Sequence, residues 1–175
     1  MFRTLLAVLF CISAAFAGDT EHFPVGKRMD VRKLGFKDQN GKKCLVEDFK
    51  GKIVVIDFWT VWCGPCRQSL PETLALQKQS IEKGTFVIIP CNLDDEYWPQ
   101  GVYKFFRQNQ KVLDGFIYYR SLMGKNGIGT VLGGDINSYP TVLVIDREGM
   151  LATRWSGYGE GLVAYEINQL LAEKR

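Results

Sequence analysis

The chain has 175 residues, of which 46% are hydrophobic and 23% charged, enough for one ordinary globular core. The formal net charge is +3, spread over interspersed Lys/Arg and Asp/Glu with no long basic run, which argues against nucleic acid as a partner. Cysteines are too few for a disulfide scaffold, so the core must come from apolar packing and a close cysteine pair is available for chemistry.

The N-terminus reads as a targeting segment. Arg3 supplies a positive start, Leu5 to Phe16 an apolar stretch, and Ala15-Phe16-Ala17 a small-x-small cleavage signal. The apolar stretch is about 12 residues, against roughly 20 for a spanning helix, so a cleaved signal over residues 1–17 is expected rather than an anchor. Export follows, into a compartment where disulfides persist. The expected layout is signal 1–17, an extended lead-in over 18–30, and a domain over 31–175.

Val31 to Leu34 and Cys44 to Val46 flank Asp38-Gln39-Asn40-Gly41, and Asn-Gly between apolar runs predicts a β-hairpin. The run Ile53 to Trp59 is β-branched or aromatic almost throughout, as for a central strand covered on both faces. From Cys66 to Lys83 the residues Leu70, Leu74 and Ile81 fall on one helical face, with Leu76 off that stripe and Pro71 inside. Lys83-Gly84 is a helix stop. Phe86 to Pro90 predicts a second buried strand, Tyr97 to Gln108 a helix, and Phe116 to Tyr119 a short strand. Residues 121–137 are glycine-rich and read as loop. Thr141 to Ile145 and Leu151 to Trp155 form a hairpin through Asp146-Arg147-Glu148-Gly149, and Glu160 to Glu173 a closing helix. This order predicts an α/β sandwich, with parallel strands first, an antiparallel pair last, and helices on both faces.

Cys63-Gly64-Pro65-Cys66 carries the chemistry. Zinc needs more ligands than this chain offers, since its only histidine, His22, lies in the lead-in. A c-type haem needs His directly after the second cysteine, where Arg67 stands, and an iron–sulfur cluster needs further close thiolates. A structural disulfide and a redox-cycling pair remain. A strand running into a helix places Cys63 at the helix N-terminus, where unpaired N–H groups and the macrodipole stabilise a thiolate. Pro65 suits the first turn, where its missing N–H costs nothing. Cys66, a turn further in, is placed to attack a mixed disulfide formed by Cys63. No metal, cofactor or nucleotide is expected, and Gly124-x-x-Gly127-x-Gly129 lacks dinucleotide-binding spacing.

Asp57 is a carboxylate in an apolar strand. Burial would raise its pKa and fit it to exchange a proton with Cys66, unless it turns to solvent at a strand end. Trp59 is expected to be half in the core and Trp62 exposed for partner contact. Tyr97, Trp98, Tyr103, Phe105 and Phe106 read as helix core rather than a ligand box. Cys44 and Cys91 read as small buried hydrophobes, a second disulfide between them being the alternative.

Val55 to Cys66 closely resembles the active-site strand and turn of thioredoxins, and Pro71 matches their helix proline. Cys66-Arg67-Gln68-Ser69-Leu70-Pro71-Glu72, the hairpin before Asp48-Phe49-Lys50-Gly51-Lys52, and Pro140 to Asp146 with Gly149 resemble the exported TlpA/ResA-like branch. The resemblance implies a thioredoxin-like three-layer sandwich, a mixed sheet with an extra N-terminal hairpin. It implies a cis Tyr139–Pro140 bond beside the cysteines, and a substrate surface of Trp62, Gly64, Pro65, Tyr139 and Pro140. Thioredoxins carry a carboxylate where Asp57 stands. An acidic residue near the second strand, taken here as Asp95 rather than Asp94, implies a further proton relay. The implied activity is a periplasmic thiol–disulfide oxidoreductase acting on protein thiols and disulfides, apocytochrome c or other exported proteins among them. Its implied electron source is a membrane thiol carrier. A Gly-Pro pair between the cysteines suggests the reducing end of the family. The rivals are an isomerase or oxidase, a binding module in which the cysteines only staple the turn, and a peroxidase.

Overall fold

The computed structural model describes residues 20–94 and 99–173. The expected signal at 1–17, together with Asp95, Tyr97 and Trp98, lies outside the described residues. Among the described residues no helix is long and apolar enough to cross a membrane.

One mixed sheet organises the molecule. Its strands are β1 (Glu21–His22), β2 (Met29–Asp30), β3 (Gly35–Asp38), β4 (Lys43–Leu45), β5 (Ile53–Trp59), β6 (Phe86–Asn92), β7 (Tyr119–Ser121), β8 (Thr141–Ile145) and β9 (Met150–Ser156). The order across the sheet is β1-β9-β8-β5-β6-β7-β3-β4, with β2 also on β9. The centre is parallel where β5 meets β6 and antiparallel where β5 meets β8 and β8 meets β9. The lead-in joins the sheet in two short pieces, both pairing with β9, with a turn at Gly26 between them. Arg28 pins it further, bridging Asp146 at 2.9 Å and Glu173 at 2.8 Å.

The period-2 alternation of β5 divides the core. Val54, Ile56 and Phe58 face one layer, where Val31, Leu34, Phe36 and Ile136 close over them together with Ile128, Val131 and Leu132. The last three belong to α3 (Ile128–Leu132), a short helix inside the stretch expected to be loop. Ile53, Val55 and Trp59 face the opposite layer. There lie α1 (Gly64–Lys83), α2 (Pro99–Gln108) and α4 (Leu162–Ala172).

Two side-chain expectations on α1 are corrected. Leu76 is buried and Ile81 is 78% exposed. The helix does not show a single stripe to a single core. Leu70 and Leu74 enter the cluster around Trp59, whereas Leu76 enters the one around Val55 and Ile167. The helix then stops at Gly84, which takes the left-handed conformation at φ 67°. The first hairpin has the expected turn, but Val31 and Leu34 precede its strand. The strand itself begins at Gly35, where an added Cβ would lie 2.7 Å from Leu122 and 2.8 Å from Leu45. Similarly, β7 starts at Tyr119 rather than Phe116, which instead packs on Trp59.

Candidate active site

Cys63 and Cys66 form a disulfide at the point where β5 hands over to α1. Cys63 is the N-cap of α1, and its sulfur accepts the Cys66 backbone N–H at 3.1 Å. Pro65 stands in the first turn, as its missing donor favours. Cys63 retains 5% exposure and Cys66 none, so the pair meets solvent from the Cys63 side. Gly64 leads into the same turn, with open space where a Cβ would point.

Asp57 faces α1 from the middle of β5 and is 5% exposed. Its Oδ2 accepts the Thr73 hydroxyl at 3.3 Å, while Oδ1 has no hydrogen-bond partner among the described residues. Burial raises its carboxyl to about 7, opposed by the Thr73 hydroxyl and helped by the negative charge of Glu72. The site is not a solvent-facing strand end. A cavity of about 20 Å³ adjoins it, lined by Ser69, Glu72, Pro140, Trp155 and Tyr158 among others. That is about the room one water needs. Glu72 is held by the Tyr158 hydroxyl at 3.2 Å and the Gly161 N–H at 3.1 Å.

The Tyr139–Pro140 bond is cis. Tyr139 meets Trp62 edge to face with centroids 5.5 Å apart. Trp62 is 63% exposed, and its indole N–H donates to Asp94 Oδ1 at 2.9 Å. The other Asp94 oxygen accepts the Val61 N–H at 2.6 Å. Asp94 thus braces the cysteine turn. Asp95, the expected proton relay, lies outside the described residues.

Trp59 is fully buried rather than half in the core. Phe105, Phe106 and Phe116 enclose its ring at 5.8, 5.9 and 6.4 Å. The aromatic helix segment is thus core at Phe105 and Phe106, but Tyr103 is 69% exposed. Cys44 and Cys91 are free thiols. Cys91 is buried, which pushes its thiol up, and Cys44 is partly buried with its thiol raised to about 11 by desolvation and then by Asp48 and Asp38. Neither is ionised near neutral pH.

The family model for Redoxin matches residues 18–162. The chain belongs to the Redoxin family. It is 28% identical over 163 residues to the thiol-disulfide oxidoreductase ResA of Bacillus cereus, covering 90% of this chain and 87% of that one. It is 30% identical over 119 residues to the thioredoxin-like protein YneN of Bacillus subtilis, covering 67% of this chain and 64% of that one. A thioredoxin family thiol:disulfide interchange protein from Chlorobium tepidum shares the fold at a TM-score of 0.64, with 20% identity over 85% of this chain and all of that one. This Redoxin is a ResA-like, thioredoxin-fold thiol–disulfide oxidoreductase.

Proposed function

We propose that the protein reduces disulfides in exported proteins, with Cys63 as nucleophile and Cys66 as resolving thiol. The Cys63 thiolate attacks one sulfur of a substrate disulfide, and the other leaves as a thiolate. The Cys66 thiol gives its proton to Asp57 and attacks the Cys63 sulfur. The second substrate thiolate leaves, and Cys63 and Cys66 end as the disulfide. Two electrons pass to the substrate. The observation that carries this is Cys63 at the N-cap of α1, its sulfur already accepting an N–H bond. Helix-terminal dipoles favour the thiolate at that sulfur.

Trp62, Tyr139 and Pro140, with the Gly64-Pro65 turn, form the proposed docking surface for the substrate chain. The signal segment supports export to the periplasm, and domain residues 31–175 would act there. Apocytochrome c or another exported protein is the proposed substrate, and a membrane thiol carrier the proposed electron source. Insulin reduction and the reduction potential test the direction. A potential near about −120 mV, that of a strong oxidant, would overturn the reductase reading. Cys66→Ser is expected to accumulate mixed disulfides through Cys63, and Cys63→Ser none.

A further inference from the structure

A cavity of about 630 Å³ opens beside the site, bounded by Tyr139 at one end and by β3, β4 and β7 at the other. Its walls hold three cations, Lys37, Lys43 and Arg120, against one carboxylate, Asp135, among the described residues. The three cations are in register. Lys37 stands opposite Lys43 on β4 and opposite Arg120 on β7. On the parallel side Cys91 pairs with Tyr119, which sets Asn92 and Arg120 next in line, and Asn92 pairs with Trp59 on β5. The cations therefore run over β4, β3 and β7, and the neutral Asn92 on β6 separates them from Trp59 on β5, the strand that leads into the cysteine turn.

Lys37 opposite Lys43 is a cost to the isolated fold. Residues directly opposite on antiparallel strands have Cβ atoms roughly 5 Å apart, and like charges there destabilise. Neither Lys37 nor Lys43 has an ion-pair partner among the described residues. Lys33, by contrast, pairs with Glu47 at 2.8 Å.

We infer that this cavity docks an extended, Asp/Glu-rich segment of the substrate protein beside its disulfide. The inference rests on the reductase reading, whose substrate it narrows. Acidic side chains meet the Lys37–Lys43 pair while the substrate backbone passes Tyr139 toward Cys63. Exposed charges of this kind add to encounter rate and selectivity more than to tight binding.

The test uses the mature protein and three labelled peptides of equal length, rich in Asp/Glu, in Gln/Ser or in Lys, each with and without an internal disulfide. Fluorescence anisotropy on the disulfide-free set is expected to show the acidic peptide binding about tenfold tighter than the neutral one, with the preference fading at high salt. Lys37→Gln with Lys43→Gln is expected to remove most of that preference. Lys43→Glu is expected to turn it toward the Lys peptide, and the thermal midpoint of the Gln variant should stay level or rise. Equal binding of all three peptides, or a preference untouched by these variants, would overturn the inference. Reduction of 2-hydroxyethyl disulfide, a small neutral substrate, should be the same in wild type and Gln variant. Failure to reduce it would sink the reductase reading, while the binding preference still decides the groove.

Discussion

Replacing Asp57 by Asn separates two effects of the buried carboxyl. In the unfolded chain this group titrates near 3.8, and in the fold burial raises it to about 7. Between those values the native state holds a proton that the unfolded state has lost. Stability must therefore fall as pH rises from about 4 to about 7 and level off above it. At roughly 1.4 kcal/mol per pH unit, the loss is about 4 kcal/mol. Asn carries no proton to lose, so the variant should lack this slope. Urea denaturation of the oxidised wild type and Asp57→Asn at pH 4.5 and pH 8 measures it, with the cysteines locked in their disulfide. The gap between the two proteins should shift in favour of the variant by a few kcal/mol over that interval. The same variant should slow the Cys66 step, seen as longer-lived mixed disulfides during reduction of a protein substrate. Parallel stability curves across the interval would refute the burial argument, and unchanged turnover would refute the proton-transfer role.

Glu72→Gln removes the negative charge that helps to raise Asp57, so the midpoint of the same stability slope should move to lower pH, and an unmoved midpoint would contradict the assignment. Asp94→Asn keeps the shape but weakens a charged acceptor shared by Val61 and Trp62. Trp62 fluorescence should shift to longer wavelength, and kcat/KM for a protein disulfide should drop several-fold, about 1 kcal/mol. Trp59→Ala empties the ring cage under the cysteine turn and should cost about 3–5 kcal/mol by chemical denaturation.

Much of the site was legible because it is local in the chain. The strand, turn and helix start of residues 53–66 lie within one stretch, so pattern and capping chemistry place the cysteines, Pro65 and Trp62 without knowledge of the rest. Asp57 was legible as an anomaly, a carboxylate among β-branched neighbours. Errors arose where distant elements decide burial. Leu76 and Ile81 exchanged roles because α1 spans two clusters. Trp59 is sealed by aromatics from α2 and from Phe116, which periodicity along β5 does not reveal.

Sequence by itself determined the cysteine pair, its helix-end setting and the order of the central strands and long helices, because those depend on backbone propensities and spacing over a few residues. Tertiary structure decided the rest: the Asp57 oxygen left without a partner among the described residues, the Glu72–Tyr158 contact beside it, the Asp94 contacts to Val61 and Trp62, and the alignment of Lys43, Lys37 and Arg120. Each of these needs residues far apart in the chain to meet. Register across strands and the seating of helices, set by global packing of the sheet, bring them together.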